Sequence, residues 1–133
     1  MATIYRRRDQ TAQLIWDDLV KHGDSSCWGI RSRTGLTHMQ FWYGMGFLRD
    51  ELQTDNGQPL IWSPKRGVYS LTQNEGEWMD YLLNWRLKSI LTQLRRTEAT
   101  AIAGGMLFGT RKKAVRVAIA GITSARQMVE ATI

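Results

Sequence analysis

The chain has 133 residues and a mass of 15.3 kDa, the size of one domain or of a small domain with an appendage. At 43% hydrophobic and 23% charged, with 2 Pro, it has the composition of a folding chain and not of a disordered linker. A formal charge of +6 and a pI near 9.9 favour anionic partners, while a single cysteine, Cys27, excludes an intramolecular disulfide framework and any cysteine-based zinc cage.

At the N-terminus Arg6, Arg7 and Arg8 lead into Asp9-Gln10-Thr11 and not into an apolar run, so no targeting signal is read there. The first helix is expected from about Arg7 to His22. Ala12, Ile15, Trp16, Leu19 and Val20 recur at the spacing of one helical face, and Gly23 supplies the stop. A short second helix fits between Ser26 and Thr34, with Ile30 inward and Gly35 ending it. Thr37 opens the third. With Gln40 three residues on it makes a T-x-x-Q capping box, and Phe41, Met45, Leu48 and Leu52 form the buried stripe.

Asp55-Asn56-Gly57 ends that helix with turn chemistry. Leu60-Ile61-Trp62 and Val68 to Thr72, on either side of Ser63-Pro64-Lys65-Arg66-Gly67, predict a β-hairpin with a basic tip. From Asn74, which with Glu77 makes a second cap-like start, the period is helical again. A helix from about Glu75 to Thr97 carries two stripes, one of Trp78, Leu82 and Trp85, the other of Leu83, Leu87, Ile90 and Leu94. Gly104, Gly105 and Gly109 punctuate the chain before a last helix from about Arg111 to Thr132. Its heptad-like stripe is Val115, Ala118, Ile122, Ala125 and Val129. The least polar stretch, Ala99 to Gly109, is far short of the ~20 residues of a membrane span, so a cytoplasmic location is expected.

Helix, short helix, helix, hairpin is the order of a winged helix-turn-helix domain. Ile30-Arg31-Ser32-Arg33-Thr34-Gly35-Leu36-Thr37 resembles the turn such domains place between their second and third helices, and Gly67-Val68-Tyr69-Ser70-Leu71 is similar to the second strand of the wing. The resemblance covers about residues 7 to 73. With the helical tail, the chain loosely resembles small phage and mobile-element winged-helix proteins, which would place it in a bacterial or phage-infected cell. The expected fold is therefore mainly α with a small β-hairpin wing. Residues 1–73 form the winged helix-turn-helix, and residues 74–133 form a helical hairpin serving as an oligomerisation module.

The resemblance implies sequence-specific binding of double-stranded DNA, with the third helix in the major groove and the wing on the backbone. Carried over by position, Thr37, His38, Gln40, Trp42 and Tyr43 face bases and sugars, while Arg31, Arg33, Lys65 and Arg66 meet phosphates. Gln40 is equally suited to remain in its cap, and cover by protein is slightly favoured for Trp42 and Tyr43, since bare aromatic patches are rare on monomers. Two departures stand out: Arg31 takes a place where such domains often bury a small residue, and Gly44 and Gly46 lie inside the third helix. Leu83, Leu87, Ile90, Leu94, Val115, Ala118, Ile122 and Val129 are the expected oligomer contacts, giving a homodimer or higher oligomer that reads two half-sites in transcription, replication or partition control. The competing expectation is a protein-interaction module anchored by Trp42, Tyr43 and Phe47.

The charge divides unevenly. Residues 1–73 hold 9 basic and 7 acidic side chains, and residues 74–133 hold 9 basic and 5 acidic, so most of the excess lies in the tail. Nothing supports an enzyme. Asp17 and Asp18 project about 100° apart on a helix, and His22 and His38 have no partners at metal-ligand spacing. Cys27 has no base near it in sequence, and Gly104-Gly105 is not followed by the lysine and hydroxyl of a phosphate loop. No cofactor and no metal are expected.

Overall fold

Local signals at the chain's turns set most of the architecture. A computed structural model describes residues 6–133; residues 1–5, on which the expected start of the first domain and the N-terminal reading partly rest, lie outside the described residues. Helix α1 spans Arg8–His22, α2 Cys27–Thr34 and α3 His38–Phe47. A π-helical turn, Leu48–Leu52, leads from α3 into α4, Gln53–Asn56. Strands β1, Leu60–Ser63, and β2, Val68–Leu71, follow. Helix α5 is Glu75–Asp80; after a second π-helical turn, Tyr81–Arg86, come α6, Leu87–Phe108, and α7, Lys113–Thr132. Among the described residues the fold is mainly α with one small antiparallel hairpin, and no helix there is long and apolar enough to cross a membrane. It divides into two compact units, the first reaching to Trp78 and the second running from Met79 to Ile133.

In the first unit the core is Ala12, Ile15, Trp16 and Leu19 of α1 against Ile30, Leu36, Phe41, Met45, Leu48, Leu60 and Tyr69. Val20, expected on that face, is instead 65% exposed. The buried arc of α1 turns the other way, taking in Thr11 and Asp18, so Val20 falls past its edge. The chain leaves α4 through Gly57, whose left-handed backbone lets its N–H reach Thr54 while that of Gln58 reaches Gln53. In the hairpin Leu60 faces Leu71 and Trp62 faces Tyr69, with the two rings 4.6 Å apart. Ser25, between α1 and α2, exchanges both backbone hydrogen bonds with Tyr69 at 3.1 and 2.8 Å. Thus β2 is held on both edges, and the hairpin is tied to the helical part.

The second unit is an antiparallel helical pair. Its register is fixed by ion pairs across the two helices from Arg95 to Glu130 (3.1 Å) and from Arg126 to Glu98 (2.8 Å), while Arg126 also meets Glu130 within α7 (3.0 Å). Hydrogen bonds from Thr123 and Arg126 hold the Glu98 carboxyl below the ordinary glutamate range, and Arg95 does the same, above all, for Glu130. Two expectations need correction. Helix α6 does not end near Thr97 but continues through Gly104 and Gly105 to Phe108, stopping at Gly109. A Cβ on Gly105 would stand 3.1 Å from Thr110 Cγ2 and 3.7 Å from Ile119 Cδ1, so this glycine serves the close approach of the two helices near their turn. The α7 stripe changes at one position: Val115, Ile122, Ala125 and Val129 are half-buried as expected, whereas Ala118 is exposed and Ile119 is half-buried in its place. On α6, Leu83 and Leu87, Ile90 and Leu94 of the expected stripe are half-buried, Leu83 lying just ahead of the helix, and Leu91, outside that stripe, is the most deeply buried.

Candidate nucleic-acid interface

The stretch from α2 to α3 is built from caps. Ser26 Oγ accepts the Gly29 N–H at 3.0 Å, starting α2. At its end Gly35 takes the left-handed backbone (φ 72°), and its N–H donates to Arg31 O at 2.9 Å. Leu36 drops into the core, and Thr37 starts α3: its Oγ1 accepts the Gln40 N–H at 3.2 Å while Gln40 Oε1 accepts the Thr37 N–H at 3.0 Å. Four residues thereby fix the angle at which α3 leaves α2.

One face of α3 is buried through Phe41, Gly44 and Met45. The other presents His38, with Met39 at 59%, Trp42 at 41% and Tyr43 at 56% exposure. Trp42 and Tyr43 are uncovered within the first unit. Their support is local: Trp42 stands edge-on to Phe41 (5.1 Å between ring centres) and to His38 (6.1 Å). Phe47 packs half-buried against the core. Trp28, unplaced by the sequence, stands exposed on α2.

The expected phosphate contacts fare differently. Lys65 and Arg66 are both exposed at the hairpin tip, where Gly67 closes the turn with its N–H on Ser63 O at 2.8 Å. Arg66 reaches Asp24 Oδ2 at 2.8 Å, and a hydrogen bond from Ser70, then Arg66, holds the Asp24 carboxyl below the usual aspartate range. Arg31 is half-buried and its Nε donates to Leu36 O at 3.4 Å. Arg33 is held by protein groups. Its Nε and Nη2 clasp the Asp18 carboxylate at 2.9 and 2.8 Å, and Nη2 also reaches Ser25 Oγ at 2.6 Å. That guanidinium joins α2 to α1 and to the Ser25 bridge, and Asp18 in turn raises its pKa, so it acts as a structural clamp. Gln40 holds the cap: its amide oxygen accepts the Thr37 N–H, the role the sequence weighed evenly against a base contact.

Sequence reasoning missed Asp18, Ser25 and Met39. The T-G-L-T turn was a signal for α3's start, but no local pattern marks Asp18, whose partner lies fifteen residues away. Among the described residues no group of three or more His, Cys, Asp or Glu side chains is placed to hold a metal. Burial pushes the half-buried Cys27 thiol up, against Arg31. An open trough of about 690 Å³ beside α4 and the end of β2 includes Gln53, Asn56, Gln58 and Trp78. The amides of Gln53, Asn56 and Gln58 are engaged with backbone carbonyls there, at 2.6, 2.8 and 3.2 Å, which makes them stays of the chain reversal. Comparison with protein-family models, with curated proteins and with solved structures found nothing that matches this chain.

Proposed function

We propose that the first unit is a winged helix-turn-helix and binds double-stranded DNA in a sequence-specific manner, as a cytoplasmic regulator of transcription or of replication and partition. The observation that carries this reading is α3 itself: a helix fixed at its start by a capped turn, with a whole face open to solvent, in the same unit as a basic hairpin tip. Titrating the whole chain with mixed-sequence duplex DNA at two salt concentrations tests it. Binding that tightens as salt falls supports the reading, and absence of binding at the lower salt rejects it. Changing Lys65 and Arg66 together to Ala is expected to weaken all sequences alike and to flatten the salt slope by about 1.8, two phosphates at ~0.9 each. An unchanged slope places the hairpin away from the phosphates.

We propose further that two chains associate through the second unit. Two helices form a thin core, in which Leu91 is the deepest side chain, and Met106, Leu107 and Phe108 at the end of α6 stand almost wholly exposed. A second copy covering them places two heads on two half-sites. Sedimentation equilibrium should return twice the chain mass, and Leu107→Asp with Phe108→Asp should return the single mass. A single mass for the unaltered chain rejects the dimer. The competing reading, a protein-interaction module, is favoured by one observation, the apolar character of the outward face of α3.

A further inference from the structure

From His38 to Phe47, α3 contains neither lysine nor arginine, the residues that grip guanine O6 and N7, and its one amide has its oxygen committed to the Thr37 cap. What it offers outward, beside the His38 imidazole at its start, is a thioether, an indole and a phenol, at Met39, Trp42 and Tyr43, in one patch at i, i+3 and i+4. Cations flank this patch at both ends. Arg31 hydrogen-bonds Leu36 O just before the cap, and the Arg8 guanidinium lies beside Gly46, 3.5 Å from where a Cβ would be. An apolar strip between guanidiniums suits the floor of a major groove between two lines of phosphates better than an apolar protein surface, which would leave both cations unmatched.

We infer that α3 reads thymine through its C5-methyl group, with Met39, Trp42 and Tyr43 as the specificity-determining contacts. The inference rests on the proposed DNA binding of the first unit. Apolar side chains discriminate bases in the major groove only where a methyl group is presented, and thymine alone among the four bases presents one. The site therefore prefers A·T steps to G·C steps for their methyls, not for their hydrogen-bonding edges. Each methyl covered is worth about fourfold in affinity.

The test uses the full chain and four synthetic duplexes: alternating dA·dT, the same with deoxyuridine for thymidine, alternating dG·dC, and the same with 5-methylcytosine. Fluorescence anisotropy at one low salt concentration is expected to show dA·dT bound tighter than dA·dU by about fourfold per methyl covered. Methylating cytosine should tighten the dG·dC duplex in the same sense. Met39→Ala or Tyr43→Ala, truncations of exposed side chains that leave the core intact, should narrow the thymine-to-uracil ratio. Lys65→Ala should lower both affinities by one factor and leave that ratio alone. Equal binding of dA·dT and dA·dU with a steep salt dependence overturns the methyl reading while leaving DNA binding standing. No binding to any of the four overturns both and turns α3 over to a protein partner.

Discussion

Gly44→Ala is expected to destabilise the first unit by about 2 kcal/mol, a net of close to 3 from overpacking less ~1 from better helix propensity. An ideal Cβ on Gly44 would lie 2.5 Å from Thr11 Cγ2 and 3.0 Å from both Thr11 C and Ala12 N. Two of those three neighbours are backbone. The third belongs to a side chain 1% exposed whose Oγ1 donates to Arg7 O at 3.0 Å, so rotating it away breaks a hydrogen bond and drives its methyl elsewhere into the core. Helix α1 would have to move off α3, and the outward face of α3 would move with it. Gly46→Ala is the control. Its nearest neighbour is Arg8 Nη2 at 3.5 Å, the far end of a flexible side chain, so the same substitution two residues on should stabilise by ~1 kcal/mol. Urea denaturation of the three proteins gives opposite shifts of the midpoint. Equal midpoints would mean that α1 and α3 are not in close approach at Gly44.

That contrast marks where sequence and structure part. The order of elements in the first unit is legible because its signals are local: the Thr37–Gln40 box, Gly35, Gly57 and Gly67 each satisfy a backbone need within a few residues. Gly44 and Gly46 look alike in sequence, each a helix-weakening residue, and only the partner helix distinguishes a point of close packing from an open position. Gly104 and Gly105 mislead in the same way: propensity counts both as a break, yet both lie within α6, and only Gly105 meets neighbours, Thr110 and Ile119, that a side chain would crowd. The candidate face is less legible than the fold. His38, Trp42 and Tyr43 follow from the stripe that opposes Phe41 and Met45. The roles of Arg33 and Gln40 inside the fold depend on where one side chain finds its partner, across fifteen residues for the first and within a single helical turn for the second. Charge counting treats every arginine alike; the pairing of Arg33 with a carboxylate 6% exposed sets it apart from the others.

Arg33→Met is expected to cost about 2 kcal/mol of stability and to leave the salt slope of DNA binding unchanged. Removing one partner of a buried ion pair costs roughly 3–5 kcal/mol because the other charge stays desolvated and unmatched. Here the arginine side chain is 34% exposed and Asp18 only 6%, so solvent reaches one side of the pair and the cost falls below that range, to about 2 kcal/mol. His22 Nε2, 3.9 Å from Asp18 Oδ1, is too distant to replace a two-pronged grip of 2.9 and 2.8 Å. Arg33→Lys keeps the charge but not the fork, and should recover less than half of the stability. Asp18→Asn added to Arg33→Met removes the stranded charge and should recover more, so the double-mutant cycle reports a coupling of about 1–2 kcal/mol. The two roles open to Arg33 separate cleanly in this series. If Arg33 gripped a phosphate, its removal would flatten the salt slope by ~0.9 with little change in stability. As a clamp, its removal shifts the denaturation midpoint and leaves the slope of the folded protein intact. A flattened slope with an unmoved midpoint would return Arg33 to the DNA and detach Asp18 from any part in setting α2 against α1.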